Sequence, residues 1–118
     1  MDAWNEKSWA YLQLGNFNEL LTCSEQTIKL NQVNASAWNY QGIALAALGR
    51  FDEALDSFQR AVYLNRRNPS FWNNMADILQ KLGRTSDSAN ARKNAVIAQK
   101  GGYPPRRNLI PWRFMWTW

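Results

Sequence analysis

Side chains that do covalent or acid–base chemistry near neutral pH are scarce in this sequence. Its 118 residues include no histidine and one cysteine, Cys23, which removes the commonest general base and nearly all zinc chemistry. Cys23 has no partner for an intrachain disulfide and reads as a small, partly buried apolar residue. The six glycines are spread along the chain rather than gathered into a phosphate-binding loop. With no nucleophile–base pair and no metal cluster in the pattern, an enzyme is not expected, and no cofactor or metal is assigned. The informative residues are those that recognise. Asn5, Asn39 and Asn73 stand 34 residues apart, and each amide offers a donor and an acceptor that match the N–H and C=O of an extended peptide.

That spacing belongs to the whole chain. Trp4, Trp38 and Trp72 recur with it, as do Leu14, Leu48 and Leu82, then Gly15, Gly49 and Gly83. A fixed period of this length is the mark of a helical repeat array. It divides the chain into repeats at 1–34, 35–68 and 69–102, followed by a tail at 103–118. Each repeat splits at its glycine, where a helix ends in a left-handed residue. In the middle repeat the first helix is expected from about Ser36 to Leu48, with Trp38, Leu45 and Leu48 at helical intervals. The second is expected from about Asp52 to Leu64, with Leu55, Phe58, Ala61 and Val62 on its apolar stripe. Asn34 and Asn68 stand at N-cap positions, Pro69 at a first helical position, and Asp52 and Glu53 at the positive end of a helix dipole. Trp38 is expected to be received by small residues such as Gly42, Ala54 and Ala61.

Trp38, Gly42, Leu45, Gly49, Phe51, Ala54, Phe58 and Ala61 together resemble the tetratricopeptide repeat pattern, and the middle repeat carries it nearly whole. The flanking repeats depart from it: Ser8 replaces a glycine, Leu20 a small residue and Arg92 an aromatic. The resemblance covers residues 1–102 and implies an all-α, right-handed superhelix of helix-turn-helix repeats with a concave groove lined by the first helices. It also implies a protein-interaction scaffold that takes a peptide segment there. Carried over position by position, the groove residues are Asn5, Trp9, Leu12, Asn39, Ile43, Asn73 and Asp77. A related ladder in the family sits one residue later, where this chain has Glu6, Tyr40 and Asn74. Family members that grip an acidic chaperone tail do so with a clamp of Lys, Asn, Asn, Lys and Arg. Here those positions hold Asn5, Trp9, Tyr40, Ser70 and Asn74, so every clamp cation is missing. Trp9 and Tyr40 suit an apolar or aromatic ligand side chain instead.

The last sixteen residues break the period. They hold three prolines and five aromatics, a composition that cannot continue the repeat. Leu109, Ile110, Trp112, Phe114, Trp116 and Trp118 are candidates for docking, either as a cap on the third repeat or in a groove of the same or a neighbouring molecule. A homo-oligomer formed through the tail or through stacked repeats is the structural alternative to peptide binding. Charge is graded along the chain. Residues 1–34 carry four acids against two bases, 69–102 carry two acids against five bases, and the tail carries three arginines and no acid. The basic back half allows an RNA reading, but its cations are scattered around the helices, so nucleic acid is not expected. Interleaved Arg and Trp in the tail also suit a membrane surface. The start of the chain lacks the regions of a signal peptide, and a reducing, cytoplasmic setting is expected.

Overall fold

The computed structural model describes residues 3–104, with side chains from residue 6 onward. Six helices and no strand occur among these residues: α1 (Ala3–Leu14), α2 (Phe17–Leu30), α3 (Ala35–Ala47), α4 (Phe51–Leu64), α5 (Pro69–Lys81) and α6 (Thr85–Gln99). The expected helices of the middle repeat are found within about one residue of their places, Leu48 serving as the C-cap of α3.

The turn inside each repeat is the same object three times. Gly15, Gly49 and Gly83 have φ of 72°, 81° and 79°, a backbone region that a side chain disfavours. In the middle copy Gly49 N–H donates to Ala46 O at 3.0 Å and Arg50 N–H to Leu45 O at 2.9 Å. These two bonds satisfy carbonyls that the helix end would otherwise leave bare. The next helices start without a side-chain cap at Arg50 and Arg84; there Arg50 pairs with Glu53 and Arg84 with Asp87, each within the first turn.

Passage from one repeat to the next uses asparagine twice. Asn31 and Asn65 leave the helix in extended conformation, and each Oδ1 accepts from the N–H two residues on at 3.1 Å. Asn34 and Asn68 then cap α3 and α5, accepting from Ala37 N–H at 3.1 Å and Ser70 N–H at 2.9 Å. The periodic tryptophans hold this linker down. Trp38 Nε1–H donates to Gln32 O at 2.9 Å and Trp72 Nε1–H to Arg66 O at 2.7 Å, so one side chain fills the interface and fixes the loop before it.

The packing partner of Gly42 differs from the sequence expectation. A Cβ there would lie 2.6 Å from Phe58 Cε1, so the missing side chain makes room for the Phe58 ring rather than for a tryptophan. The other repeats solve the same crossing with different chemistry. Ser8 is buried and its Oγ–H donates to Cys23 Sγ at 3.3 Å. In the third repeat Ala76 stands at the glycine position and accepts from Ser88 Oγ–H at 2.9 Å, while Arg92 at the aromatic position turns outward.

The main apolar cluster lies in the second and third repeats, around Phe58, Val62, Trp72, Met75 and Leu79. The first repeat joins through smaller and more polar groups, with Leu20, Cys23, Ser24 and Thr27 buried on α2 and Ala37 and Ala44 buried on α3. Each helix packs on the next, and α1 also meets α3 and α3 meets α5, so the first helices form a continuous layer.

Candidate functional site

The residues expected in the groove lie on that layer of first helices. Trp9 is 57% exposed. Leu12, Asn39, Tyr40, Ile43 and Asn74 are half-buried, while Asn73 and Asp77 are exposed. Asn5 falls in the first turn of α1, where only the backbone is described. Burial pushes the Tyr40 phenol above its ordinary value, disfavouring the ionised form.

Two of these residues are joined. Asn74 Nδ2–H donates to Asn39 Oδ1 at 3.0 Å, linking α5 to α3 across the positions of the two alternative ladders. The bond orients both amides, so Asn39 still presents an N–H donor and Asn74 a carbonyl acceptor. The pair therefore keeps both donor and acceptor capacity, the complement of a peptide unit. Asp77 is engaged by Arg92, whose Nη2–H donates to its Oδ1 at 2.8 Å and reaches Gln80 Oε1 at 3.4 Å. The arginine that departs from the repeat pattern thus pairs with a carboxylate of the same repeat.

A second feature lies between α2, α3 and α4. A pocket of about 210 Å³ opens where α2, α3 and α4 meet. Its walls carry Leu21 and Glu25 from α2, Trp38, Gln41 and Leu45 from α3, then Arg50, Glu53, Asp56 and Ser57. Ser57 Oγ–H donates to Gln41 Oε1 at 2.7 Å, and the Arg60 guanidinium lies 5.0 Å from the Trp38 ring centroid. Arg50 holds the Glu53 carboxyl below its usual range through their hydrogen bond. The sequence alone did not single out this pocket, because its residues come from three helices and share no motif.

A third feature follows α6. Gly101, with φ of 86°, ends the helix, Gly102 N–H donates to Ile97 O at 2.9 Å, and the chain turns back onto the linker between α4 and α5. Tyr103 lies under two guanidinium groups, Arg66 at 5.3 Å and Arg67 at 4.6 Å from its centroid. Arg67 also donates to Tyr103 Oη and to Gly101 O, both at 3.2 Å, and Arg66 to Pro104 O at 3.3 Å. Pro104 is fully buried. The docking candidates Leu109, Ile110, Trp112, Phe114, Trp116 and Trp118 lie outside the described residues. Among the described residues no helix is long and apolar enough to cross a membrane.

A family profile described as tetratricopeptide repeat matches residues 5–70, more than half of the chain. No curated protein sequence matches it significantly. Similar solved structures include MamA from MSR-1, at 26% identity and a TM-score of 0.73 over 80% of this chain and 54% of that one. MamA from AMB-1 aligns at 25% identity and a TM-score of 0.74, covering 84% and 59%. The type III secretion chaperone SycD of Yersinia enterocolitica, in complex with a peptide of the translocator YopD, shares the fold at 16% identity and a TM-score of 0.76, covering 80% and 72%. The chain thus spans between half and two thirds of the MamA structures.

Proposed function

We propose, from the premise that the chain belongs to the tetratricopeptide repeat family, that it is a non-catalytic scaffold holding an extended peptide segment on the layer formed by α1, α3 and α5. The observation that carries this reading is the Asn39–Asn74 pair at 3.0 Å, which keeps donor and acceptor capacity on the same layer of helices as exposed Trp9 and half-buried Ile43. Paired backbone hydrogen bonds supply sequence-tolerant affinity, and an apolar anchor supplies selectivity. SycD, which shares the fold, was solved with a bound peptide, and this supports extending the mode of binding here. The expected ligand has an aromatic or aliphatic anchor and no requirement for a free acidic terminus.

Selection of peptides from a displayed library against the full chain tests the proposal. Asn39→Ala and Trp9→Ala are each expected to weaken selected peptides about tenfold or more, in line with a hydrogen bond or anchor worth roughly 1.5–3 kcal/mol. Unchanged affinity in both variants would sink it.

Self-assembly is the second reading, and one observation favours its stacking form. Ala44 and Ile78 are buried by the preceding second helix, whereas Ala10, at the same position of α1, is exposed and Leu14 is 72% exposed. A second copy covering this face would leave a mass above the monomer in sedimentation at micromolar concentration.

A further inference from the structure

The first helices present one stripe whose chemistry changes from repeat to repeat. Ile43 follows Asn39 by four residues and Ala46 follows Ile43 by three, spacings that put all of them on one face of α3. The same positions hold Trp9 and Leu12 on α1, and Asp77 and Gln80 on α5. Trp9 is exposed, and Leu12, Ile43 and Ala46 are half-buried, so α1 and α3 leave apolar surface open. On α5 the stripe turns polar. Asp77 and Gln80 are both exposed, and both accept from Arg92, at 2.8 and 3.4 Å.

Spacing converts this order into a ligand pattern. α1 meets α3 and α3 meets α5, and helices packed in direct contact lie about 8–10 Å apart. A polyproline II segment has three residues per turn and rises about 3.1 Å per residue, so side chains at i, i+3 and i+6 share one face at intervals of about 9 Å. A β-strand returns to the same face about every 6–7 Å, out of step with the helices. The polyproline II backbone also makes no hydrogen bonds of its own, which frees its N–H and C=O groups for the Asn39–Asn74 pair. Resting on the peptide-binding reading above, we propose that the ligand is a polyproline II segment with apolar side chains at i and i+3, over the stripes of α1 and α3, and a polar side chain at i+6, over that of α5. Asp77 then sets specificity, because an apolar ligand side chain there would strip water from a carboxylate and a guanidinium.

Random peptides displayed on phage and selected in parallel against the full chain and against its Asp77→Leu variant test the pattern. Peptides taken by the unaltered chain are expected to carry two apolar side chains three residues apart and a polar one three residues further on, read along either chain direction. Alanine at either apolar position should weaken a synthetic copy about tenfold. Leucine at the polar position should weaken it about tenfold against the unaltered chain and about twofold or less against Asp77→Leu. Selection on Asp77→Leu should itself yield an apolar third position. Peptides that lose affinity for Asn39→Ala or Trp9→Ala but carry anchors two or four residues apart overturn the pattern and leave the peptide-binding reading standing. A third position indifferent to Asp77→Leu does the same. Failure to select any peptide whose binding depends on Asn39 or Trp9 overturns both, and a mass above the monomer that Trp9→Ala lowers would then assign the layer to a second copy.

Discussion

The two junctions between repeats have the same backbone and opposite interiors. Where α2 meets α3, Glu25 and Gln41 line an open pocket. Where α4 meets α5, the position of Gln41 holds Met75, 1% exposed, beside Trp72 at 0% and Val62 at 0%. Both linkers are made by Asn exits, Asn caps and an indole hydrogen bond, so geometry is set by those few groups. The interior is then left to vary. One junction is filled with apolar side chains and contributes the bulk of the core, while the other keeps polar space.

Trp72→Ala breaks the apolar junction and has the largest expected effect. Losing a fully buried indole costs about 3–5 kcal/mol, seen as a lower urea midpoint. Trp38→Ala, at the polar junction where the ring is half-buried, should cost only about 1–3 kcal/mol in the same assay. A narrower break is Gly42→Ala. Its Cβ meets the Phe58 ring, and overpacking of this kind costs about 1–3 kcal/mol, partly recovered when Phe58→Leu is added. Gln41→Met sharpens the comparison by giving the first junction the residue of the second. It should close the pocket and slow amide exchange in α2, with a stability gain of about 1 kcal/mol. Ser57 would keep its bond to Glu53 O at 3.2 Å.

The smallest effect concerns pH. The Glu53 carboxyl is held below its unfolded value by Arg50, so its contribution is present above the unfolded pKa and fades as pH falls through the lower folded one. Both partners are about half exposed, and such pairs contribute little. Arg50→Ala should therefore leave the urea midpoint at neutral pH nearly unchanged, while the Glu53 titration followed by NMR moves back up to the ordinary carboxylate range.

Much of the fold was legible because each repeat states its own boundaries. Gly49 and Asn34 perform local tasks, a left-handed turn and a cap, that depend on neighbours within a few residues. The groove was legible only as positions. That Asn74 bonds Asn39, or that Arg92 answers Asp77, depends on the angle between helices, which no spacing encodes. Trp38 was read as needing small neighbours, yet Phe58 occupies that space because the helices cross at Gly42. The Arg66–Arg67 clamp on Tyr103 had a faint signal in that the first linker carries Gln32 and Val33 at those places. Its meaning emerged only when the end of α6 returned to touch it.

The near-identity of the two asparagine exits has a practical corollary. Asn31 and Asn65 leave their helices at φ, ψ of −154°, 99° and −143°, 93°, and each is followed by an asparagine cap three residues on. Residues 35–68 are therefore a cassette with matching ends. A duplicated copy inserted after Asn68 would meet compatible backbone on both sides, lengthening the array by one unit while the clamp between its last linker and Tyr103 travels with the new end.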